Sequence, residues 1–94
     1  MSNVQHIGEI LRRVLANRGL EKGAKAGEVL AMWPEIAGKA LSERTEAVAL
    51  EEQILFLKVE DPAWRNELSL MSEQLTEKVN KYFGERRVSR IHLI

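Results

Sequence analysis

The side chains able to do chemistry are few and scattered. The sequence holds one aspartate, Asp61, no cysteine, and two histidines, His6 and His92, near the opposite ends of its 94 residues. Acid–base or nucleophilic catalysis needs a nucleophile, a base and an orienting group brought together, and no serine stands in a G-x-S-x-G elbow. Two histidines without local spacing or cysteine support do not make a metal ligand set. The stretch Gly23-Ala24-Lys25-Ala26-Gly27 lacks the preceding strand and the Lys-Ser/Thr ending of a phosphate loop, so it reads as the start of a helix. No enzyme activity, cofactor or metal is expected. What remains is binding, and the residues suited to it are basic. Arg12, Arg13, Arg18, Lys22 and Lys25 form one group, and Lys81, Arg86, Arg87 and Arg90 form another. Arg86-Arg87, in a loop beside Gly84, suit a phosphate backbone best, because a guanidinium donates a planar fork of hydrogen bonds. The alternative is solvated charge that keeps the protein soluble.

Composition limits how such binding works. Fourteen basic and fourteen acidic residues cancel, 45% of the chain is hydrophobic and 30% charged. A neutral chain is no general glue for nucleic acid, so any DNA contact depends on local clustering. A chain this short buries only about 60–65% of its unfolded surface, so residues 1–94 are expected to share one core and form one domain. No apolar run approaches the ~20 residues of a membrane span, and the first ten residues do not resemble a secretory signal. Lack of cysteine fits a reducing cytosol, so the expected location is cytoplasmic.

The positioning elements are read from periodicity. Ile7, Ile10, Leu11, Val14 and Leu15 form one stripe of a helix over His6–Asn17, which Gly19 ends. A second helix is expected from about Lys22 to Met32, with Val29, Leu30 and Trp33 on its apolar side; Pro34 is expected to break it and to open a short third helix, Pro34 to Ala40. Thr45–Leu50 and Gln53–Val59 alternate and predict a hairpin. The absence of glycine favours a four-residue loop on a type I turn. That register puts Val48, Leu50, Leu55, Leu57 and Val59 on the core face, and Ala47, Ala49, Ile54, Phe56 and Lys58 on the other. Asp61 followed by Pro62 announces a further helix, an N-cap carboxylate before proline at the first helical position. Its stripe is Trp64, Leu68, Met71, Leu75, Val79 and Tyr82, and Gly84 closes it as one helix from Pro62 to Phe83. Leu70 lies off the stripe, suited to packing on the first helix or to a partner. A last strand, Val88–Ile94, gives Ile91 and Leu93 to the core and sets Arg90 and His92 beside Phe56 and Lys58. The expected fold is α+β, in the order α-α-α-β-β-α-β, with helices on one face of a three-stranded sheet. One helix returns the chain between the second and third strands, so those two should run parallel.

If only one sheet face is covered, the other shows Phe56 among small residues, rimmed by Lys58, Arg90 and His92. Such a face suits base stacking or a protein partner; the alternative is that the first helix folds over it or a homodimer buries it. Trp33 and Trp64 fall on apolar stripes and are read as core anchors before ligand-stacking groups.

Trp33-Pro34-Glu35-Ile36-Ala37-Gly38-Lys39-Ala40-Leu41, Thr45, the hairpin end Leu55-Phe56-Leu57-Lys58-Val59, Trp64-Arg65-Asn66-Glu67-Leu68, Asn80 and Gly84 together resemble the DciA family of bacterial replicative-helicase loaders, over Ile7 to Ile94. The resemblance implies a KH-like domain, a helicase partner and single-stranded or forked DNA, and the balanced charge makes weak DNA binding the expectation. Longer relatives carry a disordered basic extension, which this sequence is expected to lack. A KH domain clamps nucleic acid through a G-x-x-G loop between two helices, and the single helix expected here has no such loop. Besides a helicase adaptor, a KH-like RNA- or DNA-binding protein without a helicase partner and a purely protein-binding subunit remain open.

Overall fold

The computed structural model describes residues 23–94; the expected helix His6–Asn17 lies outside them. Gly23–Ala37 form α1 and Lys39–Ser42 form the single turn α2; Glu46–Glu51 (β1) and Ile54–Lys58 (β2) make the hairpin, Pro62–Leu70 (α3) and Ser72–Phe83 (α4) return the chain, and Arg90–Leu93 form β3. β2 is the central strand, antiparallel to β1 and parallel to β3. The described helices pack on one sheet face, around a core in which Val29, Trp33 and Leu41 meet Leu55, Leu57 and Val59 from the sheet and Leu68, Leu75 and Val79 from α3 and α4. This is the expected α+β architecture with its parallel pair.

Two capping signals act as the sequence implies. Asp61 stands at the N-cap of α3 with Oδ1 accepting from the Ala63 amide at 2.8 Å, and Pro62 follows at the first position. Gly84 ends α4 in the left-handed region at φ 71°, where a side chain would be strained.

Four expectations need correction, each because long-range packing overrides a local signal. Pro34 does not break α1, which runs on to Ala37. An interior proline costs about 3 kcal/mol, but Trp33, Ile36 and Ala37 on either side of it are buried, and full burial of a large apolar side chain contributes about 1.5–3 kcal/mol. The stop is Gly38, at φ 91°. Trp33 secures that end of the helix: its Nε1 donates to Thr45 Oγ1 at 2.8 Å, and the Thr45 hydroxyl donates to the Leu41 carbonyl at 2.8 Å.

The hairpin turn has two residues rather than four. Glu51 pairs with Ile54 across Glu52 and Gln53, whose φ values are 54° and 64°. Both lie in the left-handed region that a type I′ turn requires, the turn whose twist matches that of paired strands. The Gln53 carbonyl anchors it, accepting from the Ser89 amide at 2.7 Å and the Ser89 hydroxyl at 3.1 Å.

β1 also carries a bulge between Ala47 and Ala49, which reverses the alternation beyond it. Ala47 packs on the main core and Val48 joins the second face, the opposite of the expected assignment.

The expected single helix Pro62 to Phe83 is interrupted at Met71 (φ −98°, ψ 4°). The Met71 amide is shared between the carbonyls of Glu67 at 3.2 Å and Leu68 at 3.1 Å, a tightened terminal turn. Met71 thereby packs against the core while Leu70 is 76% exposed. Phe83 packs against the core and Tyr82, expected on the stripe, is exposed. The break at Leu70-Met71-Ser72 contains no glycine, so it does not supply a KH clamp.

Candidate partner and nucleic-acid interface

Of the two readings of the second sheet face, open or covered, the structure has the covered one at Phe56. Phe56 has no exposure, and Ala49 and Ile54 are buried with it beside Val48 and Ile94. His92 lies across from Phe56 in the parallel ladder and meets its ring edge-on, with centroids 5.8 Å apart. The His92 imidazole pKa is lowered from 6.5 by burial and by the charges of Arg90 and Arg65, so the neutral ring is favoured. Base stacking on Phe56 and a homodimer through an exposed Phe56 face both lose their premise.

The basic residues of the second group divide by role. Asn80 reaches from α4 into the loop: its Oδ1 accepts from the Arg87 amide at 2.7 Å and the Val88 amide at 2.9 Å, and its Nδ2 donates to the Val88 carbonyl at 2.9 Å. That fixes Arg87 against the fold. Its Nη1 donates to Glu28 Oε1 at 2.9 Å, its Nε to Glu85, and its guanidinium carbon lies 4.2 Å from the Phe83 ring centroid. The Glu85 hydrogen bond raises the Arg87 pKa, and the same bond together with Lys25, 3.6 Å away, lowers that of Glu85. Arg87, read from sequence as half of a phosphate-tracking pair, ties α1 to the loop through Glu28. Arg86, Arg90 and Lys81 are exposed. Lys58 is exposed on β2 and pairs with Glu60 at 3.8 Å. Arg12, Arg13 and Arg18 lie outside the described residues. Among the described residues no three His, Cys, Asp or Glu side chains gather as a metal site, and no helix is long and apolar enough to cross a membrane.

A surface that sequence reasoning missed lies between α2 and α3. Trp64, assigned to the core, is only partly buried: it packs on the core and also lines an open cavity of about 460 Å³ with Ala40, Leu41, Ala63, Glu67 and Met71. The Arg44 guanidinium lies 5.1 Å from the Trp64 ring centroid. Arg65, next in sequence, turns the other way and donates from Nη1 to the carbonyls of Val59 at 3.1 Å and Ile94 at 2.7 Å, clasping the ends of the parallel strands. The only sequence signal for the groove was the pair of small residues Ala40 and Ala63 flanking a tryptophan, and their proximity depends on the tertiary fold.

These features define an α+β fold whose described surfaces include an apolar groove and an arginine-bearing loop. The sequence model described as "Dna[CI] antecedent, DciA" matches residues 6–93. The chain belongs to the DciA family. It is 30% identical over 84 residues to a UPF0232 protein of Streptomyces avermitilis, covering 87% of this chain and 46% of that one. It is 28% identical over 90 residues to a UPF0232 protein of Streptomyces coelicolor, with 94% and 47% coverage, and 27% identical over 89 residues to one of Mycobacterium ulcerans, with 95% and 48%. The chain thus spans about half the length of these curated relatives.

Proposed function

We propose that this chain is a non-enzymatic DNA-replication adaptor of the cytoplasm that binds the replicative helicase and single-stranded or forked DNA, and so promotes helicase loading. The observation that carries this reading is the DciA-family match over residues 6–93. An adaptor shifts the helicase toward its loaded state only by binding that state more tightly, so its work is done by contact surfaces and requires no reaction.

On the DNA side the proposed contacts are Arg86, Arg90 and Lys81, which are exposed near the C-terminal end of α4 and the start of β3, with Lys58 and His92 on the neighbouring strands. Arg12, Arg13 and Arg18 are proposed as a second group. With the chain formally neutral, roughly three to five phosphates are engaged, which gives weak binding and a modest salt dependence. Arg87 contributes by holding the loop and does not itself reach phosphate.

A second reading, a purely protein-binding subunit, is favoured by the burial of Phe56 and the internal bonds of Arg87, which both reduce the surface available to nucleic acid. Two measurements separate the readings. Capture of the cognate replicative helicase by the immobilised chain is expected, and its failure rejects the adaptor. Titration with a labelled single strand at low and moderate salt is expected to show weak binding that falls as salt rises. Helicase capture without any DNA binding at low salt leaves the protein-only reading.

A further inference from the structure

The groove between α2 and α3 has the form of a receptor for a helix. Leu41, Trp64 and Met71 give it apolar walls, and Ala40 and Ala63 are too small to fill it. On α3, Ala63, Glu67 and Leu70 follow one another at helical spacing on one face, so the 76% exposed Leu70 continues the same strip. From Ala63 to Leu70 the strip is about 10 Å long, enough for about two turns of a partner helix.

The charge around this groove is predominantly acidic. A second cavity adjoins it through Arg44, which lines that cavity and also lies over Trp64. Glu43, Glu46, Glu60 and Asp61 line it against Arg44 and Lys58; Glu67 lies on the groove itself. Lys58 is paired with Glu60 and Arg44 lies over the neutral Trp64 ring, and the two cations are outnumbered by five carboxylates. Among the described residues Glu43, Glu46 and Glu67 have no ion pair, so carboxylate is in excess along the groove. A free basic side chain on the occupant satisfies that excess, and an acidic one is repelled.

We infer that the groove lined by Leu41, Trp64 and Met71 is the docking site for an amphipathic helix of the partner helicase, one bearing bulky apolar anchors at i and i+3 or i+4 and lysine or arginine beside them. The inference rests on the adaptor reading and adds the surface and the chemistry of the contact. Apolar anchors fill the space above Ala40 and Ala63 and cover Leu70, while the basic flank faces Glu67 and the neighbouring carboxylates. The groove's lining includes neither Arg86 nor Arg90, so those two arginines stay available to DNA.

The test measures capture of the cognate replicative helicase by the wild-type chain and by Ala40→Arg, Leu70→Glu and Glu67→Lys, with Glu77→Lys on α4 as a charge control. The altered positions are exposed, and circular dichroism checks that each variant folds. Ala40→Arg and Leu70→Glu are expected to weaken capture about tenfold or more. Glu67→Lys is expected to weaken it less, and less still at high salt. Glu77→Lys should bind as wild type. Because the chain has no cysteine, Ala63→Cys places a single thiol in the groove, and its modification rate, read by mass spectrometry, should fall when the helicase is bound, whereas Glu77→Cys should react unchanged. If wild type captures the helicase while folded groove variants bind equally well and the thiol stays reactive, the docking site is overturned and the adaptor reading stands. If wild type does not capture the helicase, both fail.

Discussion

Asn80 holds Val88 as a paired strand would, accepting from its amide and donating to its carbonyl, both at 2.9 Å. A side chain from α4 thus supplies the backbone bonds that the loop before β3 lacks, and Val88 is completely buried beside it. Asn80→Ala leaves two amides and a carbonyl without partners in a part-buried setting. The cost is expected to be about 1–3 kcal/mol. Asn80→Asp, which keeps the acceptor and loses the donor, should fall between the two in thermal melting. Melting of Asn80→Ala at the wild-type temperature would mean that water replaces all three bonds.

The two tryptophans should respond differently to truncation. Trp33 is 1% exposed and donates to Thr45, so Trp33→Ala is expected to cost about 3–5 kcal/mol. Trp64 lines an open groove, and Trp64→Ala leaves a space that water already reaches. Its penalty should be clearly smaller. Denaturant melts of both variants decide this, and equal losses would place Trp64 in the core after all.

At the hairpin, Gln53 adopts φ 64° and contributes its carbonyl to Ser89. Gln53→Gly keeps that carbonyl and removes the strain of a left-handed side chain, so a stabilisation of about 0.5–1 kcal/mol is expected. A loss of stability would show that the side chain does something the turn geometry does not require.

Gln53 also illustrates what the sequence could convey. The caps Asp61-Pro62 and Gly84, the parallel pairing of β2 with β3, and the core positions Leu55, Leu57, Leu68, Leu75 and Val79 were legible because each follows from local stereochemistry or from simple periodicity. The turn at Glu52-Gln53, the Ala47–Ala49 bulge, the passage of α1 through Pro34 and the interruption at Met71 were not. The turn and the passage through Pro34 are accompanied by contacts between residues far apart in the chain, Ser89 with Gln53 and Trp33 with Thr45, and the bulge and the interruption by packing of Ala47 and Met71 on the core. Site legibility was lower. Sequence identified Arg86, Arg87 and Arg90 as a cluster, but only the fold distinguishes the inward Arg87 from its exposed neighbours, and only the fold brings Ala40 to Ala63.

His92 makes stability depend on pH. Burial, then Arg90 and Arg65, lowers its pKa below the reference 6.5, so near that pH the unfolded chain binds more protons than the folded one. The contribution of neutral His92 is therefore complete above about pH 6.5 and is lost as pH falls through that value toward the lower folded pKa. His92→Gln should flatten this part of the profile. Melting temperatures from pH 7.5 to 5 measure it; parallel curves for the two proteins would show that His92 does not titrate differently on folding.

The arginine loop offers the sharpest separation of binding from folding. Arg86 and Arg90 are exposed, whereas Arg87 is bonded to Glu28 and Glu85 and covers Phe83. Arg86→Ala with Arg90→Ala removes two cations without opening the core, so single-strand affinity should fall and the salt slope should become shallower by roughly 1 to 2, since each lost phosphate contact releases about one counterion fewer. The melting temperature should stay within a degree or two, because exposed charges contribute little to stability. Arg87→Ala should do the reverse, lowering the melting temperature while the salt slope of the protein that remains folded is unchanged. Helicase capture should survive the double change. Titrations at two salt concentrations, paired with melts of the same samples, read both quantities. If Arg87→Ala alone makes the salt slope shallower and leaves stability intact, Arg87 is released from Glu28 and Glu85 to meet the DNA, and the division between an inward and an outward arginine is wrong.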